Sequence, residues 1–228
     1  VAPLVELAET LGARVITENI NLNFPTSHPL CCGDDSGAYL KEADVILVID
    51  HDMPYVPVQT TLRPEVKIIQ IDIDPVKPNM PMWGFPVDLS LAADSSRAIP
   101  ALNEVLRHQI TAEQRSGCQR RFRQIQREHQ ELRAKWREIA HAQANQQPIS
   151  PEWLSHCLNE ALEEDTIVVS EPVTTSVALA HHLIRTKPGT LFRLGGSNLG
   201  WALGAALGVK LAARDKTVVS LIGDGGFN

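Results

Sequence analysis

Apolar residues in this chain recur at two spacings, and each spacing predicts a different element. Leu4, Leu7, Ala8 and Leu11 fall three and four apart, the stripe of an amphipathic helix, and Gly12 follows as the residue that closes it. Three short β-branched runs read as strands: Arg14 to Thr17, Val45 to Ile49 and Lys67 to Ile71. The last two are continuous enough for burial on both faces of a sheet. Helical patterns alternating with such runs as far as about Leu106 predict an open parallel sheet with crossover helices, a Rossmann-like α/β domain. Between the first two strands the loop Asn19 to Gly37, rich in Asn, Pro, Gly and Asp, is too polar for a core element. It lies where such folds bind ligands, at a strand's carboxyl end.

From Thr111 to Asn145 the pattern changes. Phe122, Ile125, Leu132, Trp136 and Ile139, spaced by threes, fours and sevens in an Arg-, Gln- and Glu-rich background, predict one long amphipathic helix. Ala142 to Pro148 reads as a polar linker, with a domain boundary near residue 148. Beyond it, Ser150 is placed to cap a helix with Pro151 in its first turn. Thr166 to Ser170 reads as a strand, Thr174 to Ile184 and Asn198 to Ala213 as helices, and Thr217 to Ile222 as a buried strand. The expected organisation is a domain over 1–110, a connecting helix and linker over 111–148, and a second α/β domain over 149–228. That second sheet is expected to be truncated, since the chain stops just after its last strand has delivered a Gly-rich turn.

Composition narrows the classes. A chain of 228 residues with 43% hydrophobic content can bury a core, and a formal charge of −6 gives no overall attraction to nucleic acid or to an acidic membrane. No window approaches 18 uncharged apolar residues, so a soluble, cytoplasmic protein is expected. The start at Val1 carries neither an initiator Met nor a signal-peptide layout, which leaves the true start expected upstream. Cys31, Cys32, Cys118 and Cys157 form no C-x-x-C pair and read as reduced, structural thiols. The arginines of 111–145 are interleaved with Glu113, Glu128, Glu131 and Glu138, the pattern of a solvated helix face. His28, His51, His181 and His182 lack ligand spacing, so surface or capping roles are expected.

Leu221-Ile222-Gly223-Asp224-Gly225-Gly226-Phe227-Asn228 carries the clearest chemistry: a strand ending in a glycine turn with a carboxylate at its tip. The glycines allow backbone amides to approach an anion, and Asp224 offers a hard oxygen suited to Mg²⁺. A tight turn with a capping Asp is the plain alternative. In Ser170-Glu171-Pro172-Val173-Thr174-Thr175 the hydroxyls at a helix start suit either an anion or simple capping. Gly200, Gly204 and Gly208 recur every fourth residue, a bare stripe along which another backbone could pack.

These segments together resemble the thiamine diphosphate-dependent enzymes of the acetolactate synthase and benzoylformate decarboxylase kind. Gly223, Asp224 and Gly225 match the opening of the family's cofactor motif. Leu199-Gly200-Trp201-Ala202-Leu203-Gly204 resembles the helix before it, and Ala43 to Ile49 with Ile69 to Pro75 resembles the family's middle domain. The resemblance implies a Rossmann-like middle domain followed by a truncated thiamine diphosphate-binding domain. It implies that Asp224 holds Mg²⁺, with a second ligand beyond Asn228. It implies cofactor contacts from Glu171, Thr174, Thr175, Ser197, Asn198, Leu199, Gly223, Gly225 and Gly226, with Leu199 propping the bent cofactor and the turn at Gly195 and Gly196 near its aminopyrimidine. The activating Glu belongs to a pyrimidine-binding domain expected ahead of Val1, so no catalytic residue is named here. The parent is expected to be a homodimer or homotetramer that decarboxylates a 2-oxo acid, with or without joining the fragment to a second carbonyl. This chain alone is expected not to catalyse. Some relatives bind FAD or an adenine nucleotide in the middle domain, but no G-x-G-x-x-G is present and a purely structural middle domain is favoured. Two rival readings are an FAD- or NAD-binding module without thiamine chemistry and a non-catalytic assembly fragment.

Overall fold

The computed structural model describes residues 1–17, 22–33, 36–79, 84–193 and 198–228, a mixed α/β chain with two parallel sheets. In chain order the elements are α1 (Ala2–Leu11), α2 (Ser36–Leu40), β1 (Val45–Ile49), β2 (Lys67–Asp72), β3 (Leu89–Ala92), α3 (Ser95–Gln109) and α4 (Ala112–Ala142). Then follow α5 (Pro151–Ala161), β4 (Ile167–Ser170), α6 (Ser176–His182), β5 (Leu191–Arg193), α7 (Trp201–Ala212), β6 (Val218–Leu221) and α8 (Asp224–Phe227). They form two compact units: one of Ala2–Leu11 and Asp34–Cys118, the other of Val1, Gly12–Gly33 and Gln119–Asn228. The segment from Gly12 to Gly33, read from sequence as part of the first domain, thus packs with the C-terminal residues.

The unit holding Asp34–Cys118 has the sheet order β1-β2-β3, all parallel. Its β1 does not bury both faces as its unbroken apolar run suggests. Ile46 and Val48 are buried, whereas Val45 is 52% exposed. The connections β1–β2 and β2–β3 contain no helix among the described residues, contrary to the expected crossover pattern. Pro54, Pro57, Pro64, Pro75 and Pro78 explain this, since each removes a backbone donor and pushes its predecessor out of helical geometry. The helical layer comes instead from α1 and α3, where Leu7, Ala8 and Ile99 are buried and Asn103 donates to the Pro3 carbonyl at 2.9 Å. Gly12 closes α1 at φ +56, as its position predicts. At the carboxyl end of β2 the buried Asp72 accepts from Lys77 Nζ and from the Asp74 amide, both at 2.8 Å, and Lys77 also reaches Asp52 at 3.0 Å. Burial alone would push the Asp72 carboxyl up, but these bonds outweigh it and hold it below the usual range.

In the other unit the sheet order is β5-β4-β6, again parallel. β4 is buried at every position, and Val168 packs with Leu22, Leu183 and Leu191. The chain leaves β4 for β5 on one side and returns past it to β6 on the other, which makes the carboxyl end of β4 a point of reversal. The expected strand Arg14–Thr17 shrinks to a single bridge, Val15 to Cys31. Its ladder stops there because Thr17 pairs with Gly33, which stands at φ +70. The expected buried strand near Thr217–Ile222 is β6, but its four residues are only half-buried. The long helix appears as α4, with Ile125 and Ala140 buried.

His182 departs from the expected surface role. It is 5% exposed, its Nε2 has no partner among the described residues, and its ring lies 5.8 Å from that of His156. His156 in turn meets His141 at 4.8 Å, while Trp136 stacks on His181 at 4.0 Å. This run of rings joins α4, α5 and α6. By contrast, His28 and His51 accept from the amides of Leu30 and Met53, as turn-capping histidines do.

Candidate functional site

A parallel sheet presents its ligands outside the carboxyl ends of the strands where the strand order reverses. In the second unit that place is the shared end of β4 and β6. The Glu171 amide donates to the Leu221 carbonyl at 2.9 Å and holds the two strand ends together. Its side chain, 6% exposed, turns toward α7: Oε1 accepts from the Gly200 amide at 2.7 Å and Oε2 from the Ala202 amide at 2.6 Å. A carboxylate at a helix start satisfies amides that have no partner within the helix and interacts favourably with its dipole. Gly200 adopts φ +89 to let its amide point back at Glu171.

The glycine turn closes over the same carboxylate. A Cβ on Gly226 would stand 2.5 Å from Glu171 Oε1 and 3.0 Å from the Ile222 side chain, so any larger residue must displace the carboxylate or the turn. At Gly223 and Gly225 an added Cβ would meet nothing within 4 Å. Asp224 is exposed, and its Oδ1 accepts from the Gly225 amide at 2.9 Å. The amides expected to face an anion are turned inward: those of Gly226 and Phe227 donate to the Gly223 carbonyl. What the turn presents outward is therefore the Asp224 carboxylate, a hard donor fitted to a divalent cation.

Thr175 occupies the N-cap position of α6, yet its side chain makes no capping bond, and Thr174 is exposed. Neither hydroxyl is engaged in the cap that the plain reading offers. Asn198 and Leu199 are exposed at the approach to α7, Leu199 by 62%. Ser197, with Gly195 and Gly196, lies outside the described residues. The geometry brings Glu171, Gly200, Ala202, Asp224 and Gly226 together. The parts of Gly200 and Ala202 escape a sequence reading because they act through backbone amides. Their one trace is Glu171 itself, an acid directly after an apolar strand. Among the described residues no backbone packs along the bare stripe of α7 at Gly204 or Gly208, where an added Cβ meets nothing within 4 Å.

Residues 173–228 match the family model described as "Thiamine pyrophosphate enzyme, C-terminal TPP binding domain". This part of the chain is similar to the cofactor-binding domain of the thiamine diphosphate enzymes. The likeness extends upstream. The sulfoacetaldehyde acetyltransferase of Castellaniella defragrans is 27% identical over 258 aligned positions, covering 97% of this chain and 41% of that protein. Acetolactate synthase isozyme 2 large subunit of Escherichia coli is 26% identical over 168 positions, covering 73% of this chain and 27% of that protein. Among solved structures, benzoylformate decarboxylase from Polynucleobacter necessarius shares the fold at a TM-score of 0.69 and 20% identity, covering all of this chain and 41% of that one. Other relatives matched along 99% and 98% of this chain are covered over 38% and 39% of their own length. The chain therefore spans about two fifths of the length of those relatives.

Proposed function

We propose that the intact protein is a thiamine diphosphate- and Mg²⁺-dependent enzyme that decarboxylates a 2-oxo acid, with or without passing the fragment to a second carbonyl. The observation that carries this reading is the Asp224 carboxylate, presented by a glycine turn at the reversal point of a parallel sheet within the matched region. Relatives named as acetolactate synthase, benzoylformate decarboxylase and pyruvate decarboxylase support the substrate class. When bound, thiamine diphosphate supplies the electron sink that loss of CO₂ from a 2-oxo acid requires.

In this reading Asp224 holds Mg²⁺ and the hydroxyls of Thr174 and Thr175 face the diphosphate. Gly223 and Gly225 leave the open approach that a larger residue would narrow. Leu199, Asn198 and Ser197 lie toward the aminopyrimidine. Glu171 acts on the cofactor through other groups, as the positioning residue that fixes the start of α7 against the turn. The Asp72–Lys77–Asp52 linkage ties down the carboxyl end of β2, which favours a middle unit without FAD. Leu207, Leu211 and Phe227, each at least 67% exposed, are the apolar side chains that assembly as a homodimer or homotetramer would cover.

The test is a cofactor titration of the full-length parent. Asp224→Asn replaces a charged ligand of a hard cation by a neutral amide, and we expect weaker Mg²⁺ and thiamine diphosphate binding with folding intact. An unchanged titration would overturn the assignment of Asp224.

A further inference from the structure

At the amino-terminal end of β4, opposite the Asp224 turn, a cavity of ≈ 300 Å³ is lined by Asn159, Leu162, Glu164, Ile184, Arg185 and Thr186. Arg185 is 3% exposed. Its main chain is tied on both sides to Thr26: its amide donates to Thr26 Oγ1 at 2.8 Å, and its carbonyl accepts from the Thr26 amide at 3.0 Å. The side chain is far less satisfied. Nη1 donates to the Glu163 carbonyl at 3.2 Å, while Nε and Nη2 are buried with no partner among the described residues.

Among the described residues no carboxylate answers this charge. Glu164 is the acid in the cavity lining, and it pairs not with Arg185 but with Lys187 Nζ at 2.9 Å and with Thr186 Oγ1 at 2.8 Å. Burial lowers the pKa of Arg185 with no opposing charge, but a guanidinium titrates so high that it stays a cation. A buried cation with unmet donors is costly. The two unmet nitrogens are also the pair along one edge of the guanidinium, the edge that grips two oxygens of a single oxyanion in parallel.

We propose that this cavity is an oxyanion site in which Arg185 takes a phosphate or carboxylate group side-on through Nε and Nη2. Both nitrogens are screened from water, so side-on binding requires the guanidinium to turn toward the cavity as the anion enters. Asn159 keeps that wall in place, its Oδ1 accepting from the Ile184 amide at 2.8 Å.

The experiment is calorimetry and thermal melting of the 228-residue chain with inorganic phosphate, and separately with acetate, up to ~20 mM against chloride at equal ionic strength. We expect a saturable rise in Tm with at least one of them, and the arm that responds distinguishes phosphate from carboxylate. Arg185→Met should lose that response by roughly tenfold or more in affinity. Without anion it should melt no lower than the parent, because an uncompensated charge has been replaced by an apolar chain of similar length. Arg185→Lys keeps the charge without the fork and should also weaken binding, which provides the readout if the Met variant does not fold. The absence of a saturable response to both anions, or undiminished affinity in either variant, overturns the proposal.

Discussion

Gly226 shows how one missing side chain can hold a site in place. Its backbone lies so close to Glu171 Oε1 that a methyl group would stand 2.5 Å from that oxygen, and the Ile222 side chain blocks a sideways shift. Gly226→Ala should therefore push the carboxylate off the amides of Gly200 and Ala202. A loss on the order of 1–3 kcal/mol in urea unfolding is expected, the cost of overpacking together with two buried bonds. A stability unchanged within error would mean the turn can move aside. Leu199 is the opposite case. At 62% exposure it contributes little to the core, so Leu199→Ala should shift stability by no more than about 0.5 kcal/mol, while turnover of the full-length parent falls. A large drop in Tm with normal turnover would make it an ordinary packing residue. The sequence revealed Asp224 and Glu171 as residues of interest but not what Glu171 holds. Its partners lie 29 and 31 positions away and are backbone groups, which carry no sequence signature.

Elements with a local cause were readable in advance. Ser150 followed by Pro151 marks the start of α5, and the Ser150 hydroxyl accepts from the Trp153 amide at 3.1 Å. Because that cap is 4% exposed, water cannot replace it well. Ser150→Ala should cost about 1–2 kcal/mol, measured as a shift of the urea midpoint, and Ser150→Asp should recover most of it. The long helix and both central strands were readable for the same reason, since their periodicity is intrinsic. β3 and β5 were not, being four and three residues long and lying at sheet edges, where neither length nor burial leaves a pattern. Helical crossovers in the first sheet were expected from its parallel order, but proline placement overrides that rule.

At the scale of the whole molecule, the ring cluster of α4, α5 and α6 makes stability depend on pH. Burial, followed by the neighbouring His156, His181 and Arg133, pulls the pKa of His182 down to about 4. An exposed histidine titrates near ~6.5, so between those values the unfolded chain binds a proton that the folded chain refuses. The contribution of neutral His182 is complete above the unfolded pKa and declines as pH falls through this window, by at most ~1.4 kcal/mol per pH unit. Melts from pH 7.5 to 4.5 should show a gentler decline for His182→Phe than for the parent, and equal slopes would assign the acid sensitivity to other groups. A second consequence of the fold concerns its birth on the ribosome. Thr26 bonds to Leu183 and Arg185, 157 and 159 positions downstream, so the unit containing residues 12–33 cannot close while the intervening chain is unmade. At elongation rates of ~5–20 residues per second, Leu22, buried in the finished protein against Val168, Leu183 and Leu191, waits on the order of 10–30 s for its partners. The stretch from Asp34 to Cys118 is complete well before then, and the nascent protein passes through a stage in which its insert is folded and its host is still open.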